Sequence, residues 1–212
     1  MVPVKVAISG HPGSGKTSTL LRIAQMLSDE YSIGGFTTHP IKEDGYIVGY
    51  GLKNYTTELC NECEPDSQSD KTSTPYCEVC GAHEQGIVAS KNWDVKPRIT
   101  VLHDEEPVNL GIQLSVVNKI ATKSVKEAVE NNDLIIVDEV GKLVSESPEF
   151  SEALTEALDS GKPMILTIHK RSRNPLLQNI RKRDDLRTLE VTPINSAMLP
   201  SKVVSILKTG MV

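Results

Sequence analysis

Three groups of residues have the types and spacing to do chemistry. The first is Gly10-His11-Pro12-Gly13-Ser14-Gly15-Lys16-Thr17, followed by Ser18, which fits G-x-x-x-x-G-K-[ST]. Glycines let a backbone turn with its N–H groups facing inward, and a helix starting at the loop adds unpaired donors and the positive end of its dipole. Such a loop cradles a phosphate chain, with Lys16 reaching the β and γ phosphates and the Thr17 hydroxyl a ligand for Mg²⁺. The second group is Asp138-Glu139, at the end of the apolar run Leu134-Ile135-Ile136-Val137. A carboxylate at the carboxyl end of a buried strand sits where open α/β sheets bind ligands. Asp138 there is expected to hold Mg²⁺ through water, and Glu139 to polarise a water for in-line attack. The third group is the two C-x-x-C pairs, Cys60/Cys63 and Cys77/Cys80, which use every cysteine of the chain.

The surrounding sequence supplies the elements that must position these groups. Val4 to Ser9 is a β-branched run and Ser18 to Leu27 is apolar at helical spacing, so the loop lies between a strand and a helix. A second strand is expected at Ile33 to Thr38. The Asp44-Gly45 pair between alternating segments signals a hairpin. A long amphipathic helix is expected from Gly111 to Val129, and Asn131 to Asp133 would stop it. Ser147-Pro148-Glu149 offers an N-cap, a proline at the first helical position and an acidic first turn, which predicts a helix to about Asp159 ended by Gly161. Met164 to His169 reads as another buried strand. A helix to about Arg183 follows Asn174-Pro175, then a strand at Thr188 to Thr192 and a closing helix from Ser201 to Lys208. Strands alternating with helices predict an α/β fold with a doubly wound, mostly parallel sheet.

Composition narrows the functional classes. A chain of 212 residues with net charge -5 and 4 % aromatics is a poor general binder of nucleic acid, because that affinity comes from Lys and Arg and from aromatic stacking. Its longest apolar run falls short of a bilayer span, and the N-terminus enters a strand directly, so a cytoplasmic protein without a membrane partner is expected.

The phosphate loop resembles that of the THEP1 nucleoside-triphosphatase family, as do Gly35-Phe36-Thr37-Thr38 leading into the hairpin, Val48-Gly49-Tyr50, the run Ile135 to Leu143 with its Asp-Glu-Val-Gly-Lys core, and Glu190 to Asn195. This resemblance implies a RecA-like P-loop NTPase domain over residues 1–212 and Mg²⁺-dependent hydrolysis of ATP, GTP and other triphosphates to the diphosphate. Lys16, Thr17, Asp138 and Glu139 match the family motifs in the roles argued above. Ser145 after Leu143-Val144 departs from the pattern, and so does the cysteine segment at 57–84.

A RecA-like strand order would set Thr167 and His169 beside the phosphate loop, where His169 could polarise the γ-phosphate. Lys170, Arg171 and Arg173 follow, and Arg171 and Arg173 are the first choices for touching nucleotide. Asn195 is by position either a base contact or, more simply, a turn residue. In the 57–84 segment, which is rich in Glu, Asp, Ser and Thr, four thiolates from two tight turns suit a structural Zn²⁺. An Fe–S cluster would use the same four, and disulfides are disfavoured in cytosol. His83 is then a bystander. Two other functions share the same loop: a small-molecule or nucleotide kinase, and a nucleotide-dependent switch whose zinc element binds nucleic acid or protein.

Overall fold

The computed structural model describes residues 4–57, 84–103, 106–170 and 173–211. One nine-stranded sheet runs through the molecule. Its strands are β1 (Lys5–Gly10), β2 (Ile33–Glu43), β3 (Tyr46–Thr56), β4 (Gln85–Ser90), β5 (Arg98–His103), β6 (Glu106–Ile112), β7 (Leu134–Val140), β8 (Met164–His169) and β9 (Leu186–Glu190). The order is β5-β6-β4-β3-β2-β7-β8-β1-β9. From β2 to β9 neighbouring strands are parallel, and from β5 to β2 they are antiparallel. The parallel half follows from β-α-β connections. The antiparallel half grows from the hairpin: Asp44 and Gly45 both take positive φ, 51° and 86°, as a tight two-residue turn between twisted strands demands.

Side-chain alternation builds a core on each face of the parallel half. Val6, Ile8, Leu134, Ile136 and Ile165 face one cluster, with Leu20, Ile23 and Leu27 of α1 (Lys16–Leu27) and Val203 and Leu207 of α6 (Leu199–Met211). Ala7, Ile135, Val137, Leu166 and Ile168 face the other, which takes in Val125 of α3 (Lys123–Asn131), Phe150 and Leu154 of α4 (Pro148–Asp159), and Leu177 and Ile180 of α5 (Pro175–Arg181). Phe36 meets Phe150 edge to face, ring centroids 5.7 Å apart. Helices on both sides make the parallel half doubly wound.

Several boundaries differ from the sequence reading: β9 lies at Leu186–Glu190 rather than Thr188 to Thr192, and α6 starts at Leu199 rather than Ser201. The helix expected from Gly111 begins at Leu114, as α2 (Leu114–Val116) continuing through a π-helical stretch, Val117–Thr122, into α3. Gly111 and Ile112 instead pair with Ser90 and Ala89, so strand partners override the helical pattern there. The second strand runs on to Glu43 because the hairpin segment continues it without a break. Ser147 caps α4 as expected, its hydroxyl accepting from the Phe150 amide at 3.1 Å. The cysteine segment, with Cys60, Cys63, Cys77, Cys80 and His83, lies outside the described residues, as does Arg171.

Gly35 shows how tightly the sheet centre is set. Its φ is +139°, and a Cβ there would lie 1.9 Å from the carbonyl oxygen of Ile136 on β7. Gly35→Ala is expected to destabilise the fold by about 3 kcal/mol through overlap and backbone strain, measurable as a lower urea midpoint. An unchanged midpoint would mean that β2 and β7 are not paired in this register.

Candidate active site

The site lies at the carboxyl edge of the parallel half, where β1, β7 and β8 end. After Gly10 the chain turns through Gly13 and Gly15, at φ 74° and 90°, and α1 starts at Lys16. His11, Pro12, Gly13 and Ser18 are exposed, so the loop's outer face is open to a ligand. The Ser14 hydroxyl is buried without a hydrogen-bond partner and rests where a side chain on Gly10 would collide with it. Lys16 is buried, with its ammonium donating to the carbonyls of Gly10 and His11 at 3.5 and 3.2 Å. The same ammonium is 3.7 Å from Glu139 Oε2.

Adjacent residues of a regular strand point to opposite faces, yet Asp138 and Glu139 both turn toward the loop. A β-bulge makes this possible: Val137 pairs with Leu166 and Val140 with Ile168, so two residues of β7 stand against Thr167 alone. The Thr38 hydroxyl pins the bulge by donating to the Asp138 carbonyl at 2.6 Å and accepting from the Glu139 amide at 3.2 Å. Asp138 is 1 % exposed. Its Oδ1 accepts from the Thr167 hydroxyl at 2.6 Å, and the Thr17 hydroxyl also pulls its pKa down, while Oδ2 is buried without a partner. Burial pushes both carboxyls above their usual range, against the pull of Lys16. A buried carboxylate with one open oxygen beside a threonine hydroxyl suits a hard cation, which would favour its ionised form.

His169 ends β8 beside this cluster. Burial first, then the charges of Lys16, His11, Lys142 and Arg181, hold its imidazole below the usual range. That environment favours the neutral imidazole. Arg181 of α5 donates to the His169 carbonyl, anchoring the strand end. Arg173 is exposed just before the Asn174 cap of α5. Asn195 serves as a turn residue: its Oδ1 accepts from the Thr192 amide at 2.9 Å and its Nδ2 donates to the Glu190 carbonyl at 2.8 Å. Sequence reasoning missed the pinning role of Thr38 and the approach of Tyr50 to Glu139. Burial and that carboxylate together push the Tyr50 phenol up. Both residues lie in quoted motifs, but their proximity to Glu139 depends on the β2–β3 hairpin lying against β7.

A phosphate loop followed by a helix, with an extra strand separating it from the acidic strand, defines a P-loop nucleotide-binding protein with RecA-type strand order, β9-β1-β8-β7-β2. The family described as NTPase matches residues 5–78 and 83–204, a span that includes Cys60, Cys63 and Cys77 but not Cys80. Nucleoside-triphosphatase THEP1 of Thermoplasma volcanium is 31 % identical over 206 residues, covering 97 % of both chains. Its namesake from Thermoplasma acidophilum is 29 % identical over 211 residues, covering 98 % of both. Among solved structures, THEP1 from the hyperthermophile Aquifex aeolicus aligns with a TM-score of 0.71 at 22 % identity, over 97 % of this chain and 99 % of that one. A human cancer-related nucleoside triphosphatase aligns with a TM-score of 0.66 at 20 % identity, over 97 % and 98 %. The chain belongs to the THEP1 nucleoside-triphosphatase family. Among the described residues no helix is long and apolar enough to cross a membrane.

Proposed function

We propose that this protein hydrolyses nucleoside triphosphates, ATP and GTP among them, to the diphosphate and phosphate in a Mg²⁺-dependent reaction. The observation that carries this reading is the bulge that turns Asp138 and Glu139 together toward Lys16. Loop amides from Gly10 to Thr17 and the Lys16 ammonium bind the β and γ phosphates. Thr17 and Asp138 would hold Mg²⁺, which when bound offsets phosphate charge. Glu139 accepts the proton of the attacking water, and its upward-shifted carboxyl makes it a stronger base near neutral pH than an ordinary glutamate. His169 is proposed as a neutral hydrogen-bonding partner of the γ-phosphate. Arg173 and Arg171 are candidates for the leaving phosphates.

The spacing of Cys60, Cys63, Cys77 and Cys80 supports one structural Zn²⁺, whose closed four-thiolate shell leaves no position for substrate water. One experiment separates the two metals. Protein purified without added metal is expected to carry about one zinc per chain and no iron, and to release phosphate only after Mg²⁺ is added. Visible absorbance with bound iron would replace the zinc assignment by a cluster. Undiminished turnover in excess chelator would remove Mg²⁺ from the reaction.

A further inference from the structure

We propose that Ile194 and Met198 form the platform on which the nucleobase of the bound nucleotide lies, and that this platform takes the base without reading its edge. The inference rests on the phosphate loop binding nucleotide, as proposed above. Ile194 is 95 % exposed and Met198 76 % exposed, in the turns between β9 and α6. One exposed apolar side chain is ordinary, but two this large, four residues apart, form a local patch.

The topology sets that patch beside the phosphate loop. β9 is parallel to β1, Ser9 pairs with Glu190, and the Val191 amide donates to the Ser9 carbonyl at 2.8 Å. The Val191 side chain lies against Gly10. α1 leaves β1 and α6 leaves β9 at this same edge, and the two helices pack on one face of the sheet. Lys208 near the end of α6 pairs with Glu30 just beyond α1, so the helices run side by side in the same direction. Their N-termini are therefore neighbours. Ile194 is three residues past Val191, at most about 11 Å of chain, which is within the span of a ribose and a base from the phosphates.

The chemistry of the loop sets what it can recognise. Asn195, the polar side chain between the two apolar ones, has both its oxygen and its nitrogen engaged by the loop backbone. The Ser196 hydroxyl donates to the Pro193 carbonyl. The exposed side chains of this segment, Pro193, Ile194, Ala197 and Met198, are all apolar, and apolar surface contacts the face of any base.

Binding of ADP, GDP, CDP and UDP, with pyrophosphate as the base-free control, tests this by titration calorimetry on wild type and on the double variant Ile194→Ala, Met198→Ala. Both side chains are exposed, so the variant is expected to fold, and matching circular dichroism and melting curves check this. The expected result is a Kd raised about tenfold for all four nucleotides, the scale of losing roughly 55 Å² of buried apolar contact, with pyrophosphate unchanged. Unchanged nucleotide affinities would overturn the platform, as would an equal loss for pyrophosphate or a loss confined to one base. Binding that behaves as expected in a protein that releases no phosphate from triphosphates would overturn the proposed hydrolysis and leave the platform standing. Wild-type protein that binds none of the four would overturn both.

Discussion

Glu139→Gln is expected to lower the rate of phosphate release about 10³-fold, within the range for loss of a positioned general base, while nucleotide still binds. The substitution keeps the side chain's size and removes only its ability to take a proton. Lys16 keeps its contacts to the carbonyls of Gly10 and His11, so the phosphate loop retains its shape. Removing the negative charge 3.7 Å from the Lys16 ammonium also leaves that ammonium more available to phosphate, so affinity should hold or rise. Single-turnover release and equilibrium binding on the same preparation separate the two effects. A variant that releases phosphate at the wild-type rate would mean that the base lies elsewhere in the site.

Asp185→Asn should be the most damaging conservative change to stability far from the site. Lys5 is a 2 % exposed lysine at the start of β1, and its ammonium is 2.7 Å from Asp185 Oδ2. Arg183 braces the same carboxylate with Nε at 2.8 Å and Nη2 at 3.0 Å, and its Nη1 reaches Asp159 at 2.7 Å. Asparagine would leave a buried ammonium uncompensated, at a cost of about 3 kcal/mol. The hydrogen bonds from Arg183, and then those from Lys5, hold the Asp185 carboxyl far below the usual carboxylate range, with burial opposing them. The sign follows from that depression. The unfolded chain takes up a proton near the ordinary aspartate pKa of about 3.9, whereas the folded chain does not. The contribution is thus complete above that pH and is lost as pH falls toward the lower folded value. Urea unfolding at pH 7 and near pH 3 should show the wild type losing stability on acidification and the variant losing less. Equal losses would mean that Asp185 does not titrate differently in the folded state.

Much of the site was legible because its chemistry is local. The glycines that permit positive φ, the Lys-Thr pair at the helix start and the Ser147 cap each depend on a few consecutive residues, and each occurs where the residues predict it. The Asp44-Gly45 turn belongs with them. The bulge at Asp138-Glu139 was not legible, since two residues opposing one is a property of the pairing with β8 and leaves no mark on β7 itself. Thr38 was quoted as part of a motif, but its hydroxyl finds the Asp138 and Glu139 backbone only because β2 pairs with β7. The sequence reading of 111–129 as one helix failed at its start for a similar reason. Gly111 and Ile112 carry an apolar pattern that suits either period, and strand partners at Ala89 and Ser90 decided it. Asn195 illustrates the opposite outcome, a residue whose simpler reading as a turn former matches its hydrogen bonds.

In the proposed reaction water, and no other acceptor, takes the γ-phosphate at this site. Incubating purified protein with Mg²⁺ and each of ATP, GTP, CTP and UTP in turn, with no added acceptor, and measuring diphosphate and free phosphate together tests it most directly. Equal amounts of the two products are expected from every triphosphate, at comparable rates, with none from Lys16→Ala. Free phosphate that fails to form, with diphosphate appearing only once a phosphate acceptor is supplied, would contradict it and make the protein a kinase.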